Sequence, residues 1–220
     1  MWKMLILYQG FVMEYNKFVL DGYIIVDDFL PQVEALKLES LYSNNSDWSL
    51  ADQVRDDLYT TSHFQTARTK SKYLPKEDES YSARFWSSAE LVSQVEKIHD
   101  KYFKPLLKEI SSFDLSEYNV RCYKMDEGCH YRTHLDQWVS DIGCIYYINQ
   151  KWMWDWGGIF HLDTASEDID DSDSVVPIFP KFNRALIMNN TLEKFKFPHF
   201  ISHVADYAQD PRYTLITFGR

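Results

Sequence analysis

Residues 118–149 read YNVRCYKMDEGCHYRTHLDQWVSDIGCIYYIN, and this stretch decides the fold. Two runs rich in β-branched and aromatic residues, 118–123 and 142–149, flank a polar segment with a glycine turn. The same texture continues to the C-terminus in runs at 158–162, 175–178, 184–188, 201–204 and 213–218, most of them separated by turn residues. Many short strands with regular breaks point to a β-sandwich or barrel.

Upstream the pattern changes. Residues 23–26, Tyr-Ile-Ile-Val, form a β-branched run bounded by Asp-Gly and Asp-Asp and read as a strand. Pro31 suits a first helical turn, and Val33, Leu36, Leu38 and Leu41 suggest a helix to about Tyr42. Residues 43–82 are polar and irregular and read as loops with one or two short elements. Ser88 is placed to cap a long helix from Ala89 to about Leu107, with Leu91, Val95, Ile98 and Phe103 on its apolar face. The plan is therefore helical support over about 13–116, packed on a β-core over about 117–220. Residues 1–12, MWKMLILYQGFV, are an apolar extension with a faint likeness to a signal peptide but no small-x-small cleavage site, and Met13 is an alternative start.

The chain has 220 residues, 45% hydrophobic and 16% aromatic, which is globular composition and enough for one substantial core. Its 33 acids against 23 bases give a formal charge of −10, so phosphate-driven nucleic-acid binding is not expected. The longest apolar runs fall short of the roughly 18 residues a membrane helix needs, so no membrane partner is expected. Three cysteines, Cys122, Cys129 and Cys144, form no CxxC pair and read as reduced, apolar fillers in a cytoplasmic protein. The acidic run 163–173 reads as a solvated loop, with docking of a basic substrate as the sharper alternative.

One motif carries chemistry. In His134-Leu135-Asp136 the His and the carboxylate are two apart, so on an extended segment they point the same way. Two such ligands grip a metal from one side. A third from a distant strand completes the two-His-one-carboxylate triad of non-haem Fe(II) oxygenases. From the residues alone the assignment stays open. His161-Leu162-Asp163 repeats the same letters, and His199 and His203 both offer a distal imidazole.

Resemblance narrows it. Over about 118–220 the chain resembles the iron- and 2-oxoglutarate-dependent dioxygenases, in particular their prolyl-hydroxylase-like branch. The segments CYKMDEGCHYRTHLD, CIYYINQKW, WGGIFHLD, FNRALIMNN and HVADYAQDPRYTLITF carry the likeness in order. The N-terminal GYIIVDDFLP also looks like the opening strand and helix of that branch. The resemblance implies an α+β fold with a double-stranded β-helix (jelly-roll) core and N-terminal helices packed on one sheet. The family order implies that His134 and Asp136, rather than His161 and Asp163, are metal ligands. The nine-residue step to Arg212 implies His203, rather than His199, as the third. The same likeness gives Arg212, Tyr147, Thr214 and Tyr123 to 2-oxoglutarate, with Tyr123 one residue out of step with the family spacing. The implied cofactors are Fe(II), 2-oxoglutarate as co-substrate, O2, and ascorbate as an accessory reductant.

The implied reaction is hydroxylation of an aliphatic C–H bond, of a prolyl residue in a peptide or protein, with succinate and CO2 as co-products. Two alternatives stand beside it: the same chemistry on a free amino acid or small metabolite, and a catalytically silent binding domain. The sequence leaves the oligomeric state open. Arg132 and Trp138 flank the His-x-Asp motif and Trp152 opens the cluster Trp152, Trp154, Trp156, so these three are the expected substrate contacts. The tryptophans read either as a lip over the site or as packing against the helices.

Overall fold

A computed structural model describes residues 18, 21–55, 81–111, 114–134, 136, 140–164, 174–191 and 198–220. The expectations that concern residues 1–12, Trp138 and most of the acidic run lie outside them. Eleven strands are described: β1 (Tyr23–Val26), β2 (Ser49–Arg55), β3 (Tyr81–Ser87), β4 (Tyr118–Met125), β5 (His130–His134), β6 (Ile142–Tyr147), β7 (Phe160–Asp163), β8 (Val175–Ile178), β9 (Arg184–Asn189), β10 (His199–Ile201) and β11 (Arg212–Gly219). They form one antiparallel sheet in the order β1-β9-β6-β11-β4-β3-β5-β10-β7-β8, with β2 added to β3. The sheet curls into a jelly roll. β1-β9-β6-β11-β4 is one wall, β5-β10-β7-β8 is the other, and β3 bridges them by pairing with β4 at Trp86 and Ser87 and with β5 at Ala83 and Arg84.

Period-two alternation on β11 and β6 sorts residues into two cores. Tyr147, Ile145, Tyr123, Met125, Ile216 and Phe218 face the inside of the roll with Phe160, Leu162 and Ile201 of the opposite wall. Tyr146, Cys144, Cys122, Leu215 and Ile142 face outward, onto the helices. β6 is buried along its whole length, as a strand covered on both faces must be. All three cysteines are buried free thiols, two in the helix-side core and one inside the roll.

Helix α1 spans Gln32–Asn44 and buries Ala35, Leu38 and Tyr42. That stripe differs from the expected one: Val33 is 72% exposed and Leu36 38%. The buried face is fixed by Tyr42, whose hydroxyl donates to the Thr214 carbonyl oxygen at 3.0 Å and so ties α1 to β11. Helix α2 spans Ala89–Ile98, and the Ser88 hydroxyl accepts from the Leu91 N–H at 3.1 Å, the expected cap. The single helix expected to about Leu107 is interrupted by a π turn at His99–Phe103 and resumes as α3, Lys104–Ser111. Pro105 explains the break: it has no N–H to give the preceding turn, and the Lys104 N–H bonds instead to the His99 carbonyl, five residues back. The strand expected at 23–26 is present as β1, and the N-terminal half departs from the expected plan in supplying two more strands, β2 and β3, to the sheet. The polar composition of 43–82 carries little period-two signal, which is why β2 and the start of β3 do not stand out in one dimension.

His99, in the π turn, is 1% exposed and stacks on Phe103 with ring centroids 5.6 Å apart. Burial, with help from Lys104, pushes its pKa from 6.5 to about 4. The unfolded chain takes up this proton near pH 6.5, whereas the folded protein resists it until about 4. Stability from this group is therefore full above pH 6.5 and lost as the pH falls towards 4, by up to ~3 kcal/mol. We expect urea unfolding midpoints to fall between pH 7 and pH 5, and His99→Phe to flatten that slope. An unchanged slope in the variant would show that other groups set it.

Candidate metal centre and its surroundings

β5 and β10 lie side by side, and His134 is the Cα partner of His199. Asp136 follows β5 by two residues and turns back onto both imidazoles. Its Oδ1 is 3.6 Å from His134 Nε2 and its Oδ2 is 3.4 Å from His199 Nε2. The two rings are 4.1 Å apart, and one ligand atom from each residue falls within 4.8 Å of the others. Among the described residues this is the sole group of three or more metal-binding side chains.

The chemistry of the cluster suits a divalent transition metal. The His134 Nδ1 lies 2.8 Å from the Arg132 carbonyl oxygen, a contact that leaves Nε2 aimed at the cluster. Burial, reinforced by His199, lowers the His134 pKa to about 4, so the ring is neutral and offers a lone pair at neutral pH. Burial alone would raise the Asp136 pKa, but His199, His134 and Arg121 together hold it at about 2. His199 is 3% exposed and stacks on Phe160 at 4.9 Å.

The third position departs from expectation. His203 stacks on His130, ring centroids 4.2 Å apart, and stands outside the cluster that His199 completes. The nine-residue spacing to Arg212 pointed to His203. In the fold, ten residues, 202–211, separate β10 from β11, and the ladder puts His199 rather than His203 opposite His134. The His203 backbone is engaged elsewhere, its carbonyl accepting from the Gly158 N–H at 3.2 Å. His161 is separated from the cluster by strand parity. It is the Cα partner of Phe200 and stacks flat on it at 4.3 Å, on the face opposite to His199. Asp163 accepts from Ser174 Oγ at 2.6 Å.

A second polar site lies inside the roll on β11. Arg212 is fully buried, with its guanidinium 5.2 Å from the centre of the Tyr147 ring. Its Nη1 donates to the sulfur of Met125 at 3.3 Å. Its Nε and Nη2, the Tyr147 hydroxyl and the Thr214 hydroxyl are buried with no hydrogen bond within 3.5 Å, the Tyr147 hydroxyl and the guanidinium lying close enough to interact electrostatically. Thr214 is in register with Tyr147 on one side and Tyr123 on the other, and Arg212 is two residues from it on the same face. A buried guanidinium and two hydroxyls left short of hydrogen bonds would be costly in a finished core. A carboxylate is the natural occupant, because it accepts several donors and neutralises the charge. The Tyr123 hydroxyl accepts from Arg121 Nη1 at 3.3 Å, which leaves its own proton free to donate.

The Gly157-Gly158 turn closes this site from the opposite wall. Both residues have positive φ, +69° and +59°. A Cβ on Gly158 would come within 2.7 Å of Arg212 Cδ, and one on Gly157 would strike the His203 carbonyl. Trp152 holds the turn, donating from Nε1 to the Gly157 carbonyl at 3.0 Å and packing edge-on against Trp156. The tryptophans therefore pack on one another and on the glycine turn, except Trp154, which is 73% exposed. Arg132 has an exposed side chain on β5.

Sequence reasoning did not single out the cleft beside the cluster. A cavity of about 560 Å³ is lined by Phe85, Tyr123, Tyr131, Arg121, Ser88 and Val92, among others. Phe85 packs on Tyr123 at 4.4 Å and on Tyr131 at 5.4 Å, and Tyr131 lies 4.6 Å from the His134 ring. The alternation of Arg121 and Tyr123 on an inward face was a usable signal. The arrival of Phe85 from β3 was not, because it depends on long-range pairing.

Residues 118–220 match the family model described as the 2OG-Fe(II) oxygenase superfamily. No curated protein matches the chain by sequence. Among solved structures, a prolyl-4-hydroxylase of Pseudomonas putida is similar with TM-score 0.57 and 14% identity, covering 94% of this chain and 96% of that one. A prolyl hydroxylase of Trichoplax adhaerens, in complex with a hypoxia inducible factor oxygen degradation domain peptide fragment, gives 0.56 and 18%, covering 93% and 86%. EvdO2 of Micromonospora carbonacea var. aurantiaca gives 0.61 and 10%, covering 96% and 91%. At these identities the structural likeness speaks for the fold.

The geometry makes a sharp distinction between the two distal histidines. We expect His199→Ala to weaken Fe(II) or Mn(II) binding on the order of 100-fold or more, since even partners of ligands are worth 10- to 100-fold. His203→Ala should leave it within a few-fold. Calorimetric titration of both variants with Mn(II) decides, and the reverse pattern would return the ligand role to His203.

Proposed function

Because residues 118–220 match the 2OG-Fe(II) oxygenase superfamily model, we propose that the chain acts as an oxygenase of that superfamily and hydroxylates an aliphatic C–H bond of a prolyl residue in a peptide or protein. The observation that carries the reading is the pairing of two sites in one roll: the His134–Asp136–His199 cluster and the unbonded donors of Arg212, Tyr147 and Thr214. In this reading His134, Asp136 and His199 hold Fe(II), and Arg212 with the two hydroxyls holds the distal carboxylate of 2-oxoglutarate. When bound, iron with 2-oxoglutarate would activate O2, which is the oxidant: one oxygen atom would enter the C–H bond and the other the succinate formed, with CO2, from the co-substrate.

The chain's own residues prepare the site. His134 stays neutral and Asp136 ionised, so the donor set is ready for a metal at neutral pH. Arg212 offers a planar fork matched to a carboxylate. Phe160, Leu162 and Ile201 line the roll around the cluster and limit water. The prolyl assignment draws its support from the neighbours, two of which are prolyl hydroxylases and one of which was seen with a peptide.

The test is succinate formation by the purified protein with Fe(II), O2 and 2-oxoglutarate, with and without blocked Pro-containing peptides. Stimulation by the peptides, with mass spectrometry showing one added oxygen on proline, is the expected result. Stimulation only by non-prolyl small molecules would move the substrate assignment to a metabolite. Arg212→Lys keeps the charge and loses the fork, so it should raise the 2-oxoglutarate KM by about 10- to 100-fold while Mn(II) binding holds. An unchanged KM would remove Arg212 from the co-substrate site.

A further inference from the structure

We propose that Arg121 recognises a carboxylate on the primary substrate, so that the enzyme selects an anionic substrate; the inference rests on the oxygenase reading above. β11 and β4 pair residue by residue, with Arg212 opposite Met125, Thr214 opposite Tyr123, Ile216 opposite Arg121 and Phe218 opposite Asn119. Arg121 is thus level with Ile216, four residues along β11 from Arg212. At roughly 3.3 Å per residue the two cations are about 13 Å apart along the same inner surface. Arg212 is the deep cation and Arg121 the one that lines the open cleft.

The immediate partners of Arg121 are neutral. Its Nε donates to Asn119 Oδ1 at 3.0 Å, its Nη1 donates to the Tyr123 hydroxyl at 3.3 Å, and its guanidinium carbon lies 5.0 Å from the centre of the Phe218 ring. Among the described residues no ion pair to Arg121 falls within 4 Å. The remaining wall has an aromatic side, Phe85, Tyr123 and Tyr131, the last against the His134 ring, and a side of small residues that includes Ser88, Ala89 and Val92 at the start of α2.

A cavity of about 560 Å³ with an apolar aromatic wall and a cation on one side lies in the size range of small-molecule sites. Its chemistry fits a compact apolar body carrying a carboxylate close to the carbon to be oxidised. The aromatic wall takes the body, and the cation fixes which carbon faces the cluster. The carboxylate can come from two sources, the α-carboxylate of a free amino acid or an acidic residue beside the target in a peptide.

The experiment compares matched pairs. N-acetyl-L-proline is set against N-acetyl-L-prolinamide, so that only the carboxylate charge differs, and acetyl-Ala-Pro-Asp-Ala-amide against the same peptide with Asn in place of Asp. Succinate formation and calorimetric binding to the Mn(II)- and 2-oxoglutarate-loaded protein are both read. In at least one pair the acid should exceed the neutral member about tenfold, as a charge-assisted hydrogen bond predicts. Arg121→Gln should bring that ratio close to one, and Arg121→Lys should retain part of it. Both variants should bind Mn(II) and 2-oxoglutarate as the wild type does. The pair that responds identifies the source. The inference is overturned if acid and neutral members are equal in both pairs, if neither acid binds or stimulates, or if the ratio survives in Arg121→Gln. Failure of the wild type to bind Mn(II) or 2-oxoglutarate would instead count against the oxygenase reading.

Discussion

The antiparallel pairing of β11 with β4 on one side and β6 on the other sets the interior of this protein. Once the three strands are in register, Tyr147, Thr214 and Tyr123 form one level across the roll, Met125 and Arg212 the level beneath it, and Arg121 and Ile216 the level above. A slip of one residue would turn every one of these side chains outward and bring Tyr213, Leu215 and Cys122 inside. The helix-side core guards against that slip. Tyr42 on α1 donates to the Thr214 carbonyl, and its ring meets Tyr213 edge-on at 5.6 Å. The polar levels inside the roll are thereby held by apolar packing outside it.

The opposite wall contributes the metal-binding group, and the division of labour follows from strand chemistry. β5 and β10 are neighbours, so two imidazoles meet at one level with no need for a special loop. Asp136 lies just beyond the strand and folds back to face both rings. The glycine turn at 157–158 then lets this wall approach Arg212 more closely than any side chain would permit. Charge is distributed along the roll as well: a carboxylate and two imidazoles on one wall, two guanidinium groups on the other. Such a cavity favours bound molecules that carry negative charge at both depths.

Much of this was legible in the sequence. The strand runs from Tyr118 onward, the Ser88 cap, the His-x-Asp pair and the Tyr147, Thr214 and Arg212 set are local patterns, and local patterns survive in one dimension. Period two alone places Arg212 and Thr214 on one face. What could not be read depends on pairing between distant segments. His199 and His203 differ by four residues, so both lie on the same side of an extended strand, and only the ladder to β5 separates them. Spacing to Arg212 favoured His203 because it takes the connection between β10 and β11 as fixed, and the length of that connection is free to vary. Of the expected stripe Leu38 is covered, whereas Val33 and Leu36 are exposed, because Tyr42 and its bond to β11 turn the helix so that Ala35 takes their place. The π turn could be suspected from Pro105, but not its partner carbonyl.

The placement of the three cysteines bears on how such a protein survives its own chemistry. A centre that brings together reduced iron and oxygen releases oxidants whenever turnover miscarries. Thiolates are the side chains such oxidants attack first, and a thiol is protected to the extent that it stays protonated and shielded. Burial pushes Cys122 up to about 12 and raises Cys129 and Cys144 as well. Cys122 and Cys144 also belong to the helix-side core, behind the wall that carries Arg212. The thiols are therefore kept protonated and shielded, and wear from uncoupled cycles should fall on exposed oxidisable side chains, Trp154 and Met153 foremost, rather than on them.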